Sequence, residues 1–356
     1  LARVLRRLVE GHDIVVVTGG LGPTHDDITR GAASAALGVR LVRQDSIARD
    51  LDAWAVRHGD PRARDQVYVQ AEVLEGARVL APVSGTAPGQ VVPTARGMLV
   101  LLPGPPHEMR PMLAEVVGEL AAGTAPPAVL RCTGVTESDV QVRVLDVLAG
   151  RTDVAFTVLA KPGDVRAVLY DRGAGASALS ALAAEVELRL GDVCYSNDGA
   201  SLAEVVSRLA RALGVSIAVA ESCTGGLVAA ALTEVPRASD VFAGGVVAYA
   251  NEVKTLVLGV EAGMLAQFGA VSEQVARAMA TGARERLEAS HAVAVTGIAG
   301  PDGASDGKPV GTVWFAVAGP TGVHAELRDL PGDRSGVRLR ATAVALDLLR
   351  RSLLTG

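Results

Sequence analysis

Ser222, Tyr249 and Lys254 are the residues whose types and spacing could carry covalent chemistry in this chain. Ser222 stands in AVAESCTGGLVAAALTEV, where an apolar, strand-like segment passes through Ser-Cys and two glycines into a helix-like one. A serine at that point has an ordinary use as a helix N-cap. Capping alone does not need Gly225 and Gly226, however, and bare backbone at a helix N-terminus can hold an oxyanion or a phosphate. A serine nucleophile also needs a base, and VVAYANEVKTLVLG offers Tyr249 and Lys254. With Asn251 as N-cap, Lys254 falls at the third position of a helix starting at Glu252. There the positive end of the helix dipole disfavours an ammonium, and burial would lower the amine's pKa further toward the range of a general base. Tyr249, at the strand end, can donate a hydrogen bond or relay the proton. Cys223 is the rival nucleophile, because a cysteine at a helix N-terminus can have a lowered pKa. Pattern alone does not rank the two.

Lysine is scarce enough to make each one worth inspecting: of 34 Lys and Arg residues, only Lys161, Lys254 and Lys308 are lysines. An amine can be deprotonated by its surroundings, whereas a guanidinium stays charged. Two further stretches suit a substrate pocket. HAVAVTGIAGPDG places Thr296 and Gly297 at a strand end, where open α/β sheets collect ligands. LPGDRSGVR brings Arg334 and Arg338 to the start of the last helix, where an arginine can clamp a phosphate; Arg338 reads as surface charge. Near the N-terminus, TGGLGPTHDDIT has glycines that would let backbone approach a phosphate, with Asp26 and Asp27 able to hold a divalent cation on a pyrophosphate. The plainer role for Asp27 is to cap the helix that follows.

The elements needed to position these residues follow an α/β rhythm. Residues 1–10 read as a helix, HDIVVVTGG as a buried strand and 27–37 as a helix, the unit of a parallel sheet. Short strands fill 76–102, and PGPPHEMRPMLAEVVGEL feeds another helix. From about 128 to 193 the order becomes strand, helix, strand, KPGD turn, strand, helix, a small α+β module. A boundary falls in CYSNDGAS, after which helices and strands alternate again. The expected domains are therefore 1–125, 126–196 and 197–356. Leu1 opens directly on a helix that ought to follow a strand, so the N-terminus is expected to be incomplete.

Composition sets the limits of function. At 356 residues the chain suits two or three domains. No apolar run approaches the roughly 18 to 20 residues of a membrane-spanning helix, and the N-terminus has no signal-peptide core, so a cytoplasmic protein without a membrane partner is expected. Cys132, Cys194 and Cys223 fit neither a disulfide framework nor a zinc site, and reduced thiols are expected. A formal charge of −5 with only ten Phe, Trp and Tyr lacks the footprint of a nucleic-acid binder. A small-molecule ligand fits better, and a symmetric homodimer is the default oligomer.

AESCTGG, YANEVK, AVTGIAGPDG, KPVGTVWFA and PGDR, in that order, resemble the C-terminal domain of the CinA family over about residues 200 to 356. The resemblance implies hydrolysis of the carboxamide of nicotinamide mononucleotide to nicotinate mononucleotide and ammonia. It assigns a Ser-Tyr-Lys site to Ser222, Tyr249 and Lys254, which selects Ser222 over Cys223, and it implies no cofactor for this step. Thr296 and Arg334 match the family's substrate contacts; Thr224, Gly225 and Gly297 complete the expected binding set. TGGLGPTHDDIT, GTAPG and LLPGPPHEM resemble the family's molybdopterin-binding-fold domain, which implies an ADP-ribose pyrophosphatase stimulated by potassium and dependent on a divalent metal; the residue reading of Asp26 and Asp27 as cation ligands is compatible with it. The family's opening Gly-Thr-Glu-Leu motif is absent from this sequence. TGVTESDV and AKPGDV resemble the family's KH-like segment. The expected fold class is thus α/β: a molybdopterin-binding-like α/β domain, a small α+β KH-like module and a three-layer α/β/α amidohydrolase domain. Besides the amidohydrolase, two other readings stand: a metal-dependent pyrophosphatase centred on the N-terminal domain, and a competence-associated binding protein using the KH-like module.

Overall fold

This computed structural model describes residues 1–58, 67–121, 125–305 and 307–355. Its contacts divide the chain into two units, Leu1–Gly123 and Thr124–Gly356.

The first unit runs α1 (Ala2–Gly11), β1 (Ile14–Thr18), α2 (Thr29–Leu37), β2 (Leu41–Arg43), α3 (Asp45–His58), β3 (Glu72–Leu74), β4 (Arg78–Leu80), β5 (Gly89–Pro93), β6 (Met98–Leu102) and α4 (Pro106–Leu120). Its main sheet has the order β1-β6-β5-β4, parallel between β1 and β6 and antiparallel beyond. β6 shows why it is layered on both faces. Alternate residues of a strand point to opposite sides, so Leu99 and Leu101 join Leu5, Val9, Ala33 and Ala36 of α1 and α2, while Val100 and Leu102 meet Met112 and Val116 of α4.

The second unit opens with β7 (Ala128–Cys132), α5 (Glu137–Leu148), β8 (Val154–Lys161), β9 (Asp164–Asp171), α6 (Ala176–Leu190) and β10 (Cys194–Ser196). These build an antiparallel sheet of order β10-β7-β9-β8 whose core takes Leu130, Ala167 and Leu169 from the strands, with Val140, Val144, Leu182 and Val186 from the helices. The stretch expected to hold a domain boundary, CYSNDGAS, therefore begins with a short strand. The expected boundary after residue 196 lies inside this unit, immediately beyond β10.

The remaining elements are α7 (Leu202–Leu213), β11 (Ile217–Glu221), α8 (Leu227–Thr233), β12 (Phe242–Val247), α9 (Asn251–Leu258), α10 (Ala262–Phe268), α11 (Glu273–Arg286), β13 (His291–Gly297), β14 (Thr312–Gly319), β15 (Gly322–Asp329) and α12 (Arg334–Thr355). The sheet order is β12-β11-β13-β14-β15; the first three strands are parallel and the last two antiparallel. β15 completes the sheet without having been expected, since GVHAELRD mixes charge into a strand at the sheet edge, with five of its residues exposed.

The two faces of this sheet differ in residue size. Ile217 and Val219 of β11, Val293 and Val295 of β13 and Phe315 of β14 face α7, α8 and α12. Ala218, Ala220, Ala292, Ala294 and Ala316 face the other way, onto α9 and α11. Small side chains let helices approach closely, and Gly282 of α11 takes this to its limit: a Cβ there would lie 1.8 Å from the carbonyl oxygen of Leu258 at the end of α9. That packing seats α9, and with it Lys254, against the sheet.

Candidate active site

Ser222 follows the last residue of β11, at the C-terminal edge of the parallel strands, where its N–H donates to the carbonyl of Val295 at 2.9 Å. It is not the helix cap. The helix begins only at Leu227, and its free N–H groups are taken by Glu221: one carboxylate oxygen accepts from Gly226 at 3.0 Å and Val228 at 3.1 Å, the other from Ala229 at 2.8 Å. Glu221 is 1% exposed, so three N–H groups and a helix N-terminus compensate a buried carboxylate. This corrects two expectations. The helix N–H groups are not open to an oxyanion or phosphate, and Gly225 and Gly226 are required by conformation, since their φ values of 61° and 95° turn the chain back over the carboxylate. Gly225 itself is exposed.

With capping assigned to Glu221, Ser222 is left half-buried and facing Lys254, whose Nζ lies 3.4 Å from its Oγ. Lys254 is 1% exposed, the bulkiest of the fully buried side chains. Its amine also donates to the carbonyls of Ala248 at 2.8 Å and Tyr249 at 3.2 Å. Burial pushes Lys254 below the ordinary lysine value, against the opposing charges of Cys223 and Glu252. The route differs from the expected one. Ala250 occupies the N-cap position without a side-chain cap, so Asn251 is helical and Lys254 is the fourth residue of α9. The dipole acts less strongly there, and two carbonyl acceptors favour the ammonium; desolvation outweighs them.

Cys223 ranks below Ser222 on the same physics. It is 5% exposed, and burial pushes its thiol up to about 11, so the thiolate is scarce where the pattern allowed it to be enriched.

Tyr249 lies two residues beyond β12 and is 59% exposed. Its hydroxyl accepts from Arg334 at 2.9 Å, and Arg334 also donates to the carbonyl of Gly300 at 2.6 Å. The phenol is therefore placed at the rim with Arg334, while its backbone carbonyl serves Lys254. Arg334 lines an open groove of about 640 Å³ together with Gly300, Val310, Asp333 and Arg338.

The other expected contacts are more structural. Thr296 is buried and donates its hydroxyl to the carbonyl of Ala270 at 2.8 Å. Gly297 packs on β14, where a Cβ would meet Val313 at 2.7 Å. Thr224 is completely buried with its hydroxyl unpaired. Lys308 donates to the carbonyls of Phe268 and Val271 at 3.2 and 2.8 Å, so it and Thr296 fasten the α10–α11 connection. Residue 306, where the DGKPVG stretch begins, lies outside the described residues. Lys161 is exposed at the end of β8.

Two residues emerge with roles that the sequence reading did not give them. Glu221 had a signal, an acid closing an otherwise apolar strand. Arg338, expected to be surface charge, is half-buried and donates to the carbonyls of Cys223 at 3.2 Å and Thr224 at 2.8 Å. It holds the turn beside Ser222 from the outside while Glu221 holds it from within. Its spacing of four residues from Arg334 on α12 puts both arginines on one helix face.

Asp26 and Asp27 both hydrogen-bond within their own turn. The Thr24 hydroxyl lies 2.6 Å from an oxygen of Asp26 and 2.5 Å from one of Asp27, whose same oxygen accepts from the Thr24 N–H at 2.9 Å. These bonds, with backbone N–H groups of Asp26 for the first and of Thr24 and Gly22 for the second, hold both carboxyls below the usual carboxylate range against burial. Asp27 does not cap α2 either, since Ile28 is the N-cap without a side-chain bond. The two acids complete a local turn. Among the described residues no three His, Cys, Asp or Glu side chains gather as a metal site; two carboxylates are what this turn offers to a cation that a pyrophosphate would help to hold. No described helix is long and apolar enough to cross a membrane.

Comparison with known proteins bears on both units. Residues 199–353 match the CinA C-terminal domain and residues 1–122 match the probable molybdopterin binding domain. A protein of Symbiobacterium thermophilum, named for competence-damage inducibility, is 44% identical over 99% of this chain and 88% of its own length. A CinA-like protein of Acidobacterium capsulatum is 40% identical over the same shares. The crystal structure of the competence/damage inducible protein CihA from Agrobacterium tumefaciens is 44% identical, with a TM-score of 0.42, over 43% of this chain and 93% of that one.

Proposed function

This chain belongs to the CinA family, and from that premise we propose that its C-terminal half hydrolyses the carboxamide of nicotinamide mononucleotide, giving nicotinate mononucleotide and ammonia. The supporting observation is the pairing of Ser222 with a buried amine at 3.4 Å. A neutral amine has two hydrogens and one lone pair. With its hydrogens on the carbonyls of Ala248 and Tyr249, Lys254 keeps the lone pair for the Ser222 proton, and after transfer the ammonium has an acceptor for each hydrogen. The separation is long for a hydrogen bond, as catalytic pairs often are before substrate closes the site.

In this reading Ser222 Oγ attacks the carboxamide carbon as Lys254 takes its proton. Lys254 returns that proton to the leaving nitrogen, and ammonia departs. Water, deprotonated by the same amine, then attacks the acyl-enzyme and releases the carboxylate. Arg334 and the groove beside it suit the nucleotide phosphate, and Tyr249 stands at the same rim with its hydroxyl bonded to Arg334. The test is release of ammonia from nicotinamide mononucleotide by the full chain and by Ser222→Ala. Loss of at least about 10³-fold with unchanged folding is expected; equal release by both would overturn the assignment.

A further inference from the structure

Two of the three cysteines, far apart in sequence, stand directly opposite each other. Cys132 ends β7, Cys194 starts β10, and the antiparallel register pairs them. The N–H of Thr133 donates to the carbonyl of Val193 at 3.0 Å, so the neighbouring pair is the hydrogen-bonded one and the cysteines form the closely spaced kind; the register shifts just beyond them, between Cys194 and Ser196. Such pairs have Cα atoms about 4.5 Å apart, within the range a disulfide spans. Both side chains lie on the core side of the sheet, Cys132 fully buried and Cys194 half-buried.

We propose that Cys132 and Cys194 are a modification site, a cross-strand dithiol that a hydroperoxide oxidises to a reversible disulfide. The roles of the two sulfurs follow from their surroundings. The Cys132 thiol donates toward Cys194, which lowers the Cys194 pKa and, together with burial, raises that of Cys132. The Cys194 thiolate attacks the peroxide, breaking the O–O bond to give a sulfenic acid and, after protonation, water. The Cys132 sulfur then attacks the Cys194 sulfur; the S–S bond forms, the S–O bond breaks, and the hydroxyl leaves as water with the Cys132 proton. Two thiols lose two electrons and the peroxide gains them. The link would close residues 132–194 into one loop, stapling the first strand of the antiparallel module to its last. It lies next to Arg131, which donates to the carbonyl of Gly199 at 3.1 Å, on the stretch leading to α7.

The test oxidises the reduced full chain with hydrogen peroxide. Denatured thiols should fall from three to one, the intact mass should drop by two hydrogens, and a nonreducing digest should contain a Cys132–Cys194 peptide pair. The thermal midpoint should rise by about 5–10 °C and return with dithiothreitol. Cys223→Ser should still cross-link, whereas Cys132→Ser should leave a sulfenic acid on Cys194 that dimedone traps. Peroxide that leaves three thiols, joins Cys223 or a second chain, or drives Cys194 to the sulfinic acid in the parent protein would overturn the proposal.

Discussion

The turn after β1 and the turn after β11 have the same outline: a strand ends, glycines follow, and a helix begins. They differ in what meets the helix N-terminus. After β11 a buried acid from the strand itself takes three N–H groups, and the serine beside it is released to face an amine. After β1 the helix has no side-chain cap, and the acids turn back onto Thr24 in solvent. There two buried polar side chains pin the turn, Arg30 through the carbonyls of Leu21 and Gly22 and Thr29 through the carbonyl of Gly19. A Gly-rich strand-to-helix turn is thus not a site by outline alone. It becomes one when helix capping is handled by a residue other than the potential nucleophile, and when the remaining polar groups are buried together, where desolvation can shift a pKa.

The largest departure from this contrast should come from removing the amine. Lys254→Met is expected to lower kcat/KM for ammonia release by about 10²–10⁴-fold. The pH profile sharpens the test. Because burial lowers the Lys254 pKa, the parent's kcat/KM should rise with pH through that value as the free amine accumulates, and the variant's residual rate should lack this rise. Stability follows the same titration. Between the lowered folded pKa and the ordinary 10.5, the unfolded chain binds more protons at this position, so it contributes a gain in stability as pH rises. Thermal midpoints measured across that window should show the contribution in the parent and not in Lys254→Met. A Met variant with full activity would break the comparison.

Glu221→Gln comes next. The amide keeps the shape but can accept through one oxygen only, and its NH₂ group must face an N–H of the helix. A stability loss of about 1–3 kcal/mol is expected, together with a fall in kcat of about 10-fold or more as Ser222 shifts. Denaturant unfolding and steady-state rates check both. Arg338→Met loosens the same turn from its exposed side. A smaller effect, about 3–10-fold in kcat with little change in midpoint, separates a positioning role from the surface charge expected of this residue.

Much of this architecture was legible because it rests on periodicity. The β11, β13 and β14 segments, the capped helix α7 and the amphipathic α11 all carry patterns that local physics enforces, and Ser222 and Lys254 were marked by residue type and rarity. What escaped depended on contacts distant in sequence. Arg338 reaches Cys223 and Thr224 across more than a hundred residues, and no local pattern announces that. Thr296 looked like a ligand contact because of its strand end, but the connection carrying Ala270 folds over it. Glu221 was hidden for the opposite reason: its partners are so near that the serine next to it seemed the natural cap.

The smallest expected effect tests the N-terminal turn. Asp27 accepts from the Thr24 N–H and hydroxyl, and a Cβ on Gly22 would come within 2.5 Å of its carboxylate. These contacts describe a carboxylate that shapes its own loop. Asp27→Asn keeps one acceptor oxygen and loses the charge, so a cost of about 0.5–1.5 kcal/mol, the size of one exchanged hydrogen bond, is expected. Ammonia release should be unchanged, because the proposed chemistry lies wholly in residues of the second unit. A fall in ammonia release, with thermal and denaturant midpoints intact, would mean that the N-terminal turn acts on the amide chemistry after all, and that the contrast between the two turns had assigned it too little.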